Sequence, residues 1–260
     1  MKRSSGVRIC ALAACGALSL ALITGCSGGS SEDTAGTARE ASTVKALSTG
    51  ELKQRILAQG EVDGFKVNPI GEDAPARSTI KSNDEKCRPL AYVLTGLAPA
   101  TPATEIGRTV REDKKDPTDD ATSLDDLADG KFESALKDSL NLDITSLDLS
   151  SYDGNGAEEA LRAVSTALKN CTAGFTGGAT GDDQKVTKVT PTKASGSGDE
   201  SVAFTATTDM DGDKGPLHAE VVRYGNTVAT YFTMNIGAMM TGKTYTVPPA
   251  VIKAQSKKLG

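Results

Sequence analysis

Asp209, Asp211 and Asp213 place three carboxylates within the run Asp209-Met210-Asp211-Gly212-Asp213-Lys214-Gly215. Oxygen ligands at such spacing could hold a hard cation such as calcium. The glycine falls too early for an EF-hand loop, and no bidentate acid follows at the distance such a loop needs. Strand-like sequence flanks the run, so a polar hairpin turn is the favoured reading. His218 is the single histidine, and its alternating surroundings read as a strand with the ring facing solvent. One imidazole restricts the chain to at most one Ser–His or Cys–His pair. Carboxylate pairs abound, as in any acidic chain, but spacing alone does not select a general acid. No GxSxG elbow, Walker loop or HExxH helix occurs. Gly154-Asn155-Gly156 precedes a helical pattern but lacks a third glycine. Glu158 and Glu159 already occupy that helix's positive end, which favours capping over phosphate binding. The expectation is a chain with no catalytic residue, no metal site and no cofactor.

The cysteines carry more chemistry, through the compartment that the N-terminus implies. Lys2, Arg3 and Arg8 lead an uncharged stretch from Ile9 to Gly25. This is a secretory leader over residues 1–25, shorter than the roughly 20 apolar residues a spanning helix requires. The cations keep the leader's start on the cytoplasmic side. Ile23-Thr24-Gly25-Cys26, followed by Ser27-Gly28-Gly29-Ser30, resembles the bacterial lipobox. That resemblance implies cleavage before Cys26, a diacylglyceryl thioether on its sulfur, and anchorage on the extracytoplasmic face of the cell membrane. Each buried acyl methylene contributes about 0.8 kcal/mol, so two or three chains hold stably where one would not. Cys10 and Cys15 leave with the leader. Acylation of Cys26 leaves Cys87 and Cys171, an even pair in an oxidising compartment. We therefore expect a Cys87–Cys171 disulfide, contributing about 4–5 kcal/mol for a loop of that length.

The formal charge of −5 becomes more negative once the three leader cations are removed. An acidic surface disfavours nucleic acid and anionic headgroups as partners. Trp is absent and aromatics make up 4% of the chain, so stacking platforms for bases are not expected.

The elements that position these residues follow from pattern. Residues 26–47 read as a lipidated, disordered tether rich in Ser, Gly, Thr and acid. Residues 48–260 read as one domain. Ser48 and Glu51 form a capping box for a helix bearing Leu52, Ile56 and Leu57, ended by Gly60. Phe65 and Val67 mark a short strand, and residues 71–85 read as polar loop. Pro89 opens a helix with Leu90, Val93, Leu94 and Leu97 inward. Ile106, Arg108 and Val110 suggest an edge strand, and residues 112–141 an insertion or flap with short amphipathic helices. Ile144, Leu147 and Leu149 form a strand that leads into a helix capped by Asn155 with Glu158. That helix carries Ala157, Ala160, Leu161, Val164, Leu168 and Cys171 on its buried stripe. Period-two alternation then marks strands around residues 186–190, 202–207, 217–221 and 228–232, with Gly225-Asn226 as a hairpin turn. Pro248-Pro249 open a terminal helix with Val251, Ile252 and Leu259.

The run Ser151-Tyr152-Asp153-Gly154-Asn155-Gly156-Ala157-Glu158, the helix ending at Cys171, Gly174-Phe175, and the element around Pro248–Gln255 resemble lipoproteins of Streptomyces-like actinobacteria. The resemblance spans about residues 48–111 and 142–260. More distantly, the disulfide-bearing layout resembles PknH-like extracellular sensor domains, which carry a second disulfide missing here. Those domains imply a sheet with helices forming a cleft suited to a ligand. The fold expectation is α+β: an antiparallel sheet of about five to seven strands, helices packed mainly on one face, and one disulfide, all on a lipid tether. The functional expectation is a non-catalytic cell-envelope lipoprotein that binds or senses a small or apolar ligand. The alternative is an interaction or structural lipoprotein docked on another envelope protein.

Overall fold

The computed structural model describes residues 44–72, 74–114, 139–210 and 213–260. The expected leader, Cys26, most of the expected tether, most of the 112–141 segment and Asp211 lie outside the described residues. Ser48 caps α1 (Thr49–Arg55): its hydroxyl accepts from the Glu51 N–H, and the Glu51 carboxylate accepts from the Ser48 N–H at 2.8 Å. The helix stops at Arg55, before Gly60, because Ile56 and Leu57 turn into the core in extended conformation.

Nine strands form one sheet: β1 (Phe65–Pro69), β2 (Ile80–Ser82), β3 (Thr104–Glu112), β4 (Ile144–Ser151), β5 (Phe175–Ala179), β6 (Asp182–Thr192), β7 (Glu200–Met210), β8 (Asp213–Tyr224) and β9 (Thr227–Met234). Their order is β1-β3-β4-β9-β8-β7-β6-β5-β2, and every neighbouring pair is antiparallel. The class and the antiparallel sheet are as expected, but the sheet is wider. β2 lies inside the stretch expected to be loop, where Ile80 alone is buried and pairs across to Ala179. β3 is not an edge strand, because β1 covers its outer side from Phe65 to Pro69. Gly225-Asn226 makes the tight β8–β9 turn, closed by Tyr224 opposite Thr227.

The helices divide between the two sheet faces rather than collecting mainly on one. On the first face, α2 (Arg88–Leu94) and α3 (Gly156–Asn170) pack on Phe204, Ala206, Leu217, Val221, Val228 and Phe232. On the second, α1 and α5 (Pro249–Leu259) pack on Val110, Leu147, Leu149, Val222, Ala229 and Tyr231. An apolar stripe states that a helix has an inward side; it does not state which sheet face receives it. The central strands carry apolar residues on both sides, so each face needed its own cover. The short α4 (Ile236–Thr241) follows β9 and ends at Gly242, whose φ of +69° suits the left-handed cap.

Cys87, before α2, and Cys171, at the C-cap of α3, are joined by a disulfide with Cα atoms 5.9 Å apart across 84 residues of sequence. The buried stripe of α3 is the one the spacing predicts. Gly174, three residues on, has φ +87°, and a Cβ there would collide with the Val186 carbonyl, so only glycine lets β5 close against β6. Among the described residues no helix is long and apolar enough to cross a membrane.

Candidate functional site

On the second face, α1 and α5 lie toward the β1 side of the sheet, while β7 and β6 extend beyond them. A groove of about 450 Å³ opens at this boundary. Its floor is Ala203 and Thr205 of β7 with His218 and Glu220 of β8. One wall is the chain leaving β6 at Lys193–Ser195; the other is Val247, Pro249 and Ile252 at the entry to α5. Strand alternation sets this floor. Leu217, Ala219 and Val221 point to the first face, so His218 and Glu220 must point to the second.

His218 is therefore not a solvent-facing strand residue. It is half-buried, with Nδ1 3.1 Å from the Thr205 hydroxyl and its ring set edge-on to Tyr245, centroids 4.6 Å apart. Tyr245 is itself fixed by donating its hydroxyl proton to the Pro216 carbonyl. Burial holds the imidazole pKa below its ordinary value, which keeps the ring neutral near pH 7. Glu220 is 4% exposed and accepts hydrogen bonds from the Ser195 N–H, at 2.9 Å, and from the Ser195 hydroxyl. Strand alternation sets Glu220 opposite Leu217, Ala219 and Val221, but it carries no signal that the terminal helix and the β6–β7 connection return over it.

The Ser195 hydroxyl is engaged by Glu220, away from His218. His218 in turn meets a threonine and an aromatic edge where a nucleophile relay would need an orienting carboxylate. An apolar wall of Val247, Pro249 and Ile252, with a few fixed donors and acceptors at the base, suits a ligand that is mostly hydrocarbon with one polar end.

The other residues singled out lie elsewhere. Cys26 is outside the described residues. Asp209 and Asp213 fall at the β7–β8 turn, where Asp209 pairs with Lys214 and Met210 with Asp213, so the run does form a hairpin. The Asp209 carboxylate is 3.8 Å from Lys185 Nζ. Asp211 lies outside the described residues. Among the described residues no group of three His, Cys, Asp or Glu side chains is placed to hold a metal ion. Gly154 and Gly156 serve the turn from β4 into α3: Gly154 has φ +59°, and a Cβ on Gly156 would press on Tyr152. The expected capping by Asn155 is not made. Its side chain donates to Glu159 at 2.9 Å and leaves the helix N–H groups to other partners.

No protein-family model matches the sequence, and no curated protein is significantly similar to it. Among solved structures, the extracellular domain of PknH from Mycobacterium tuberculosis is similar, with a TM-score of 0.49 and 10% identity. The match covers 83% of this chain and 96% of that one. At that identity the likeness concerns chain arrangement, and neither ligand nor role passes from one protein to the other.

Proposed function

We propose that this chain is a non-catalytic, lipid-anchored cell-envelope protein whose domain binds a small, mostly apolar ligand in the groove between β7–β8 and α5. The observation that carries the proposal is the groove itself, which sets Val247, Pro249 and Ile252 against a floor holding the buried carboxyl of Glu220 and a neutral His218. Such a surface desolvates hydrocarbon and offers its polar end fixed hydrogen-bond partners. Anchorage rests on Ile23-Thr24-Gly25-Cys26, and the disulfide suits an oxidising compartment. Native mass spectrometry of the full-length protein from its own cells tests the reading. A co-purifying mass is expected, and it should disappear in Thr205→Phe, which fills the groove. A ligand-free spectrum of the wild-type protein sinks the proposal.

One observation favours a second reading, docking on another envelope protein. Ile236 and Met240 of α4 are 42% and 65% exposed and sit one helical turn apart. Cross-linking in intact cells that captures a partner, and loses it in Met240→Lys, would favour that reading.

A further inference from the structure

The two faces of the sheet are covered unevenly, and the first face has an opening of its own. Its helices α2 and α3 lie over β9 to β5, while toward β3 and β4 the cover is Ile70, Gly71, Ala74 and Pro75 with the end of α2. Between them is a cavity of about 410 Å³ lined by Glu105, Gly107 and Thr109 of β3, Ser146 and Asp148 of β4, and Thr95–Leu97. Gly107 leaves room for Ile70, whose side chain a Cβ would strike. The polar groups turned to this space are two carboxyls and several hydroxyls, and among the described residues no cationic side chain lines it.

Asp148 is 4% exposed, and its only hydrogen-bond partner among the described residues is the Ser150 hydroxyl. Among the described residues no cationic side chain lies within ion-pair distance of it. Arg77, whose charge reaches Asp148, is paired with Glu105 at 3.2 Å and stacked over Tyr92 at 4.6 Å, and its Nε and Nη1 are buried without a hydrogen-bond partner among the described residues. Beside Asp148 in register is Thr230, whose buried hydroxyl has no partner among the described residues. A buried acid short of donors, set against open space, is costly unless something supplies them. We propose that this cavity is a binding site for a small organic ammonium ion, its N–H groups donated to Asp148 and Glu105 and its carbon chain laid along Leu97 and Ile70.

Burial pushes the Asp148 carboxyl up to about 8; Ser150 and Arg77 oppose that shift, and Glu105 adds to it. The charged and titratable groups around it are Glu105 on β3, Arg77 in the short turn before β2, and Tyr152 after β4. A cation that enters at neutral pH must therefore displace the Asp148 proton, which leaves to solvent as the ion pair forms. Affinity should tighten as the pH rises toward that value.

Calorimetry of the full chain with n-butylammonium, 1-butanol and butyrate tests the site. Only the ammonium should bind, roughly fiftyfold tighter at about pH 8 than at about pH 6, with close to one proton released at the lower pH. Asp148→Asn, isosteric with the neutral acid, should abolish both binding and pH dependence, and Glu105→Gln should weaken binding while keeping the pH dependence. Thr205→Phe, in the groove on the other face, should change neither. Equal binding of amine and alcohol, a flat pH profile, or binding retained in Asp148→Asn overturns the proposal.

Discussion

Asp148 sits between Leu147 and Leu149, both fully buried on the second face, so alternation sends its carboxyl to the first. Its raised pKa has a consequence for stability. An acid whose folded pKa lies above its unfolded value of about 3.9 favours the fold fully below that value. The contribution is then lost as pH rises toward about 8. Urea unfolding should therefore show wild type losing roughly 2–4 kcal/mol relative to Asp148→Asn between about pH 5 and about pH 8. His218 has the opposite sign. Its folded pKa is depressed by burial, so the fold is favoured above the ordinary imidazole value and disfavoured as pH falls through the folded one. As the single histidine, it gives one imidazole titration curve by NMR, and the midpoint should lie below about 6.5.

These residues also mark the limit of what sequence pattern conveys. In β4 and β8 the apolar positions are readily picked out, and the residues between them look outward and ordinary. That inference is sound when one face of a sheet meets water. Here both faces are covered in part, so Asp148, His218 and Glu220 lie under loops and helices contributed from distant sequence. No local signal in the strand reports such cover.

The helices and hairpins were far easier to read, because their cues are local: the Ser48–Glu51 box, Pro89, the stripe of α3, Gly225-Asn226. β2 was missed because a three-residue edge strand with one buried side chain has too few positions to show a period. Gln255 shows how a polar residue fastens elements that pattern cannot connect. It is fully buried in α5, where its amide accepts from the Leu57 N–H at 3.0 Å and donates to the Arg55 carbonyl at 2.8 Å, closing the end of α1. Gln255→Ala leaves the buried Leu57 N–H and the partly buried Arg55 carbonyl without this partner, so chemical denaturation should register a loss of about 1–3 kcal/mol. The disulfide does similar work between α2 and α3. Cys171→Ser should cost about 4–5 kcal/mol in the same assay, set by the 84-residue separation of the two cysteines.

At the scale of the whole molecule, the sheet separates two openings on opposite faces, the groove above His218 and the cavity beside Asp148. Each lies where the helices of its face stop short. The anchoring proposal belongs to this scale too: Cys26→Ser should release the protein from membranes into the medium, read by fractionation and blotting, with its folded domain unchanged. Residues 44–47, at the start of the described chain, are held at specific points on the domain. Val44 and Lys45 present their carbonyls to the Gly154 N–H and the Asn226 side chain, each with donor and acceptor within 2.9 Å. The Ala46 and Leu47 N–H groups donate to Asp153 and Ser151, both at 2.9 Å. Tension drawn along the polypeptide from a bilayer would thus arrive at the β8–β9 hairpin and the end of β4 through four parallel links. Such a load would meet strands inside the sheet, not the edge strands β1 and β2, and force spectroscopy should find the domain harder to unfold when pulled from residue 44 than from an edge strand.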